Sequence, residues 1–86
     1  MASYRLLIKK SAAGELEAVP KKDRSRIAGK IQRLAAQPRP DGSEKLAGEG
    51  RYRIRQGSYR ILYSIEDASM TVTVVRIGHR RDVYRK

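Results

Sequence analysis

Residues 51–60 read RYRIRQGSYR, with Arg51, Arg53, Arg55 and Arg60 set among Tyr52, Ile54 and Tyr59. Successive side chains of a strand point to opposite faces. Tyr52 and Ile54 then fall on one face, and Arg51, Arg53 and Arg55 on the other. If Gln56-Gly57 makes a tight hairpin, Arg60 comes back beside Arg53 and Arg55 on the same face. A guanidinium is a planar fork that fits two phosphate oxygens at once and stays protonated. Several of them together suit a phosphodiester, both to hold it and to stabilise charge growing on its oxygens. Any one such arginine is ordinarily the solvated face of a strand. The cluster favours an anion site, because like charges opposed across a hairpin repel.

The rest of the chain supports an anionic partner. In 86 residues, 20 Lys plus Arg stand against 9 Asp plus Glu, a formal net charge of +11 with a pI near 10.6. That balance points to nucleic acid, an acidic protein or a membrane surface. The cations differ in kind along the chain. Residues 51–86 hold eight Arg and one Lys against three acidic residues, whereas most lysines lie earlier. The C-terminal part is therefore the better candidate for phosphate contact.

Several classes are excluded. With no cysteine there are no disulfides and no thiol catalysis, and a single histidine, His79, does not build a zinc site. No metal or other cofactor is expected. The apolar stretch in MASYRLLIKK is too short for a membrane span or a signal peptide, so a cytoplasmic protein is the expectation. The length allows one domain, residues 1–86, with a shallow groove as its site and no large enclosed cavity.

The elements that must position the arginines follow from pattern. Residues 3–9 read as a strand. Ser11 is a plausible N-cap for a short helix over 11–18. Pro20 suits the first turn of a second helix, where Ile27, Ile31 and Leu34 form one stripe. Lysines and arginines fill the rest of that helix, which reads as a solvated face. Pro38 and Pro40 end it, and residues 37–50 form a turn-rich connection. Strands are expected over 51–55, 58–65 and 70–77, joined by hairpin loops at Gln56-Gly57 and Glu66 to Ser69. Tyr59, Ile61, Tyr63 and Ile65 form the buried set of the middle strand, while Arg76, in phase with Val72 and Val74, is expected to meet a carboxylate. The class is α+β, a mostly antiparallel sheet with two N-terminal helices on one face, in the order β-α-α-β-β-β.

Residues 45–84 resemble the RelE toxins of the RelE/ParE superfamily of toxin–antitoxin modules. The elements that carry the likeness are Lys45-Leu46 before a glycine, Tyr52-Arg53-Ile54-Arg55, Gly57-Ser58-Tyr59-Arg60, and Gly78-His79-Arg80-Arg81 followed by Asp82-Val83-Tyr84. The resemblance implies the RelE-like fold and a ribosome-dependent endoribonuclease that cuts mRNA in the ribosomal A site. In such enzymes the 2′-hydroxyl attacks its own 3′-phosphate without a metal. A cognate antitoxin is the second implied partner, beside mRNA and ribosomal RNA. By the same resemblance Arg60 and Arg80 take the phosphate, Tyr84 stacks on a base, and Arg53 and Arg55 stabilise transition-state charge. Lys45, Arg51 and Arg81 are further RNA contacts.

One departure matters. Arg53 and Arg55 stand where the family's best-known member has lysines, and an arginine does not give up its proton to become a base. His79 is the remaining candidate, since its unperturbed pKa lies near neutrality. Two other readings stay open: a ParE-like toxin that inhibits gyrase and is no nuclease, and a nucleic-acid-binding module without catalysis.

Overall fold

The computed structural model describes residues 3–48 and 50–79. The elements run β1 (Arg5–Ile8), α1 (Lys10–Glu17), α2 (Lys21–Arg33), β2 (Glu44–Lys45), β3 (Arg51–Gln56), β4 (Tyr59–Glu66) and β5 (Thr71–His79). The five strands form one sheet in the order β1-β5-β4-β3-β2. Only β1 and β5 are parallel; the other pairs are antiparallel. Two helices followed by a mostly antiparallel sheet is the expected class, with one strand more than pattern indicated. β2 lies inside the connection 37–50, where two residues between glycines carry no periodicity to read.

The apolar stripe does what its spacing requires. Ile27, Ile31 and Leu34 of α2 are buried with Ala12 and Val19, against Ile54, Ile61, Tyr63, Ile65, Val72, Val74 and Ile77 of the sheet. Each such side chain contributes roughly 1.5–3 kcal/mol by leaving water. Both helices thus share one face of the sheet. Asp23 in the first turn of α2 and Lys30 and Arg33 in its last turn suit the helix dipole. The start of α1 is displaced from expectation. Its N-cap is Lys9, with no capping side chain, and Ser11 lies inside the helix. Here the chain enters the helix directly from β1, and Lys9 donates its amide to Val74 O at 2.9 Å, so the strand ladder sets the boundary.

The hairpin that matters turns on Gly57-Ser58, one residue later than expected. Gln56 and Tyr59 face each other at its base, and Gly57 has φ +60. Glycine at the first central position is what a two-residue II′ turn requires. At the other end of this hairpin Gly50 has φ +66, and a Cβ there would stand 2.7 Å from Ile65 O. That approach permits the 2.8 Å bond from Ile65 N to Gly50 O.

β5 departs from strict alternation. Leu62 pairs with Arg76 but Tyr63 pairs with Val74, so Val75 is an extra residue, a β-bulge. The phase of β5 therefore reverses. Val72 and Val74 face the helices before the bulge, and Ile77 faces them after it. Arg76 consequently leaves the phase of Val72 and Val74. It does meet a carboxylate, with Nε 3.5 Å from Glu15 Oε2 of α1.

Candidate functional site

The sheet face away from the helices can be read as rows across the strands. One row is Arg51–Ser64–Thr73–Leu7, and the next is Glu44–Arg53–Leu62–Arg76. The third is Arg55–Arg60–Gly78, beside the Gly57-Ser58 turn. Arg55 and Arg60 are thus directly opposed, at a separation where like charges destabilise a strand pair. Arg55 is exposed and Arg60 half-buried.

The row did not form as three equivalent arginines. Arg53 is only 8% exposed and ion-pairs with Glu44, its register partner on β2. A buried arginine is tolerated only with such a partner. Arg53 is thereby tied to the frame of the sheet, one row from the Arg55–Arg60 pair. Arg51 is exposed two rows away, opposite Ser64. Lys45 is exposed and pairs with Tyr52, whose phase is that of the helix-facing residues.

Cations from α2 extend the site around the sheet edge. Lys30 Nζ donates to Arg55 O at 2.8 Å. A groove of about 580 Å³ opens there, with Lys30, Arg33, Glu44, Arg53 and Arg55 on its walls. Lys30 and Arg33 had no individual signal in the sequence. Their spacing follows the solvated side of α2, and only the packing of α2 on β3 brings them to Arg55.

His79 does not join this group. It pairs with Tyr59, on the same side as buried Ile77, and its ring meets the Tyr59 ring edge-on at 5.9 Å. With Glu15, Val19 and Tyr59 it borders a small concavity of about 270 Å³ under α1. Gly78, on the opposite side, is the residue facing Arg60. Arg80, Arg81 and Tyr84 lie outside the described residues. Among the described residues, no three His, Asp or Glu side chains group as metal ligands, and no helix is long and apolar enough to cross a membrane.

The far end of the sheet is held by a polar cluster that pattern did not reveal. Arg39 binds Asp67 through both terminal nitrogens, at 3.3 and 2.9 Å, and donates from Nε to Tyr52 Oη at 3.0 Å. Tyr4 donates to the same carboxylate at 2.7 Å. The Tyr52 ring lies under the Arg39 guanidinium and stacks on Tyr63 at 5.9 Å, and Tyr63 Oη donates to Pro38 O at 2.7 Å. The Arg39 guanidinium, and after it the Tyr4 hydroxyl, hold the Asp67 carboxyl below its ordinary value. Burial pushes the Tyr63 phenol up to about 12. This cluster ties the 37–43 connection to β1, β3 and the β4–β5 turn, and so fixes the platform from which the arginine hairpin projects.

Comparison with known proteins completes the description. A family model described as ParE toxin of type II toxin–antitoxin system, parDE, matches residues 6–84. Toxin RelG of Mycobacterium tuberculosis is 46% identical over 37 residues, which is 43% of this chain and 42% of RelG. The chain therefore aligns with less than half the length of that relative. The archaeal RelE–RelB complex from Pyrococcus horikoshii contains a chain that superposes with a TM-score of 0.82 at 28% identity, over 92% of this chain and 97% of that one. The toxin–antitoxin complex RelBE2 of Mycobacterium tuberculosis gives 0.79 at 27% identity, over 92% and 100%. The isolated E. coli RelE toxin gives 0.78 at 27% identity, over 94% and 90%.

Proposed function

The chain belongs to the ParE toxin family of type II toxin–antitoxin systems, within the RelE/ParE superfamily, and from that premise we propose that it is a ribosome-dependent endoribonuclease that cleaves mRNA. The observation that carries the reading is the Arg55–Arg60 pair, opposed across the ladder, with Arg55 also lining the groove that holds Lys30 and Arg33. Two guanidiniums carried side by side on one face suit the paired non-bridging oxygens of a phosphodiester.

In the proposed reaction the ribose 2′-hydroxyl gives up its proton to water and attacks the adjacent 3′-phosphorus. A 2′,3′-cyclic phosphate forms as the bond to the 5′-oxygen breaks, and that oxygen leaves with a proton from water. Negative charge grows on the non-bridging oxygens and on the departing 5′-oxygen. Arg55 and Arg60 meet the first demand with charge already in position, which is the larger part of such catalysis. Arg80 would add to them, and Tyr84 would stack on a base of the codon, as the resemblance to RelE toxins implies. Arg53 stabilises the geometry through Glu44, while Arg51, Lys45 and Arg81 serve as outer phosphate contacts. An open sheet face excludes little water alone, so the ribosome closes the site and aligns the RNA for in-line attack. Such a protein acts in the cytoplasm, where ribosomes translate.

The same basic face suits an acidic segment of a cognate antitoxin, which would inhibit by covering Arg55 and Arg60. The solved relatives include RelE toxins in complex with RelB antitoxins, which supports this partner.

A second reading is favoured by the family model itself, whose description is that of a ParE toxin. In that reading the chain inhibits gyrase and cuts nothing. Primer extension on a defined mRNA in a purified translation system separates the two. Cleavage that requires ribosomes and is lost in Arg60→Ala is the expected result. Intact mRNA with folded protein, together with loss of gyrase supercoiling activity, would replace the first reading by the second.

A further inference from the structure

The row Arg55–Arg60–Gly78 is only as well defined as the position of β5 at its end. That end of β5 loses its pairing with β1. β1 stops at Ile8, opposite Val74, and the Lys9 amide makes the last bond from that side, to Val74 O. The bulge follows at once at Val75. Among the described residues, 76–79 of β5 therefore have β4 on one side and no strand on the other. A bulge is also where register is easiest to change, and a shift of one residue sends every later side chain to the opposite face. Without the bulge, Gly78 would face the helices and His79 would face away from them.

One side chain stands where the missing strand would be. Glu15 Oε1 of α1 accepts a hydrogen bond from the Ile77 amide at 2.9 Å. Its other oxygen lies 3.5 Å from Arg76 Nε. The first contact is a charge-assisted bond to backbone, stronger than the neutral bond a strand partner would make. It falls two residues past the bulge, next to the residue that faces Arg60. α1 is held in turn by the burial of Ala12 and by its direct entry from β1.

We propose that Glu15 is a positioning residue: by accepting the Ile77 amide it pins β5 after the bulge and so keeps Gly78 in register with Arg60. Glu15 touches no substrate. Its effect reaches the reaction through the placement of the strand. The proposal rests on the ribonuclease reading for its catalytic consequence but not for the pin itself, and the two are tested separately.

Glu15→Ala removes the acceptor, whereas Glu15→Gln keeps an oxygen for the Ile77 amide and discards the charge. The pin is measured by hydrogen exchange of the Ile77 amide in the isolated protein. Slow exchange in the wild type and in Glu15→Gln, with exchange at least about ten-fold faster in Glu15→Ala, is the expected result. Unchanged exchange in Glu15→Ala overturns the proposal. The catalytic consequence is measured on programmed ribosomes. Glu15→Ala should lose on the order of 10- to 100-fold in kcat with KM little changed, as misplacement of a site by about 1 Å does. Glu15→Gln should recover most of that loss. Equal losses in both variants, or a loss confined to KM, would overturn the positioning role. If wild-type protein cuts no mRNA, the ribonuclease reading fails, and the exchange measurement still decides the pin.

Discussion

Arg55 and Arg60 face each other across the β3–β4 ladder, and Lys30 already occupies the Arg55 carbonyl at 2.8 Å. Two arginines are thus opposed at the hairpin end, with Lys30 bonded to the backbone of the first. A directly opposed like-charge pair costs about 0.2–1 kcal/mol in the free protein. On the proposed ribonuclease reading, a bound phosphate would relieve that repulsion. The cost also gives the site a signature in stability measurements.

Arg55→Thr should therefore raise stability while it lowers activity. Arg55 is exposed, so little packing is lost, and threonine suits a strand. At low salt the melting temperature should rise by about 1–5 °C, and the gain should shrink at high salt, where the repulsion is screened. Cleavage on the ribosome should fall on the order of 10²- to 10³-fold, as when one preorganised charge-stabilising donor is removed. A variant that cleaves normally would exclude Arg55 from the phosphate site. Thermal melts at two salt concentrations and single-turnover cleavage make the comparison.

Arg53 should behave in the opposite way. Its guanidinium is buried and paired with Glu44. Glu44→Ala leaves that charge with one partner fewer and should destabilise by about 1–3 kcal/mol. This is below the figure for a wholly buried pair, because Glu44 is itself largely exposed to water. Arg53→Met, which fills the same space without the charge, should restore most of the stability in the Glu44→Ala background. Urea denaturation of the two single variants and the double variant measures the coupling. Additive losses would mean that the pair does not hold β2 to β3.

The same residues divide what local sequence encodes from what only the tertiary fold decides. Alternation in RYRIR and the glycine turn were enough to bring Arg55 beside Arg60, because both depend on contacts within ten residues. The stripe Ile27, Ile31 and Leu34 likewise placed α2 on the sheet. The burial of Arg53 was not legible, since it depends on Glu44, which reaches β3 across a glycine-rich connection without periodic signal. The bulge was not legible either. TVTVVRI reads equally well as an unbroken alternation, and only pairing with β4 reveals that Val75 is extra. Every residue after Val75, His79 included, changes face for that reason. The cluster of Arg39, Asp67, Tyr4 and Tyr52 joins residues up to 63 positions apart and leaves no local trace.

Stability should fall at both ends of the pH range, for different residues. The folded state favours the Asp67 carboxylate, which Arg39 and Tyr4 hold below its ordinary value of 3.8. Its contribution is complete above that value and is lost as pH falls from there through the folded pKa. Asp67→Asn should lower the melting temperature at neutral pH and flatten the decline below about pH 4. The folded state favours the neutral Tyr63 phenol, which burial raises from 10.0 to about 12. Unfolded chains lose that proton first, so stability should fall as pH rises from 10 to about 12. Tyr63→Phe should remove this alkaline decline, at a cost of about 1 kcal/mol for the lost bond to Pro38 O. A decline of unchanged slope in either variant would assign it to other groups.

His79 supplies the sharpest test of the site's geometry. It is the chain's one histidine, and an unbroken β5 would turn it toward Arg55 and Arg60. The bulge turns it to the other side, against Tyr59, where it borders the concavity under α1. A general base must come within hydrogen-bond reach of the proton it removes. From the Tyr59 side the imidazole does not share the face on which Arg55 and Arg60 would hold the phosphate. His79→Ala should accordingly keep cleavage within about three-fold of wild type, and the variant should keep every step of the wild-type pH–rate profile. Charge stabilisation by the arginines would then carry the reaction, with the 2′-hydroxyl proton leaving by another route. A loss of 10²-fold or more, accompanied by disappearance of such a step, would identify His79 as the base. It would also mean that the end of β5 rearranges on the ribosome, bringing the imidazole around to the arginine face.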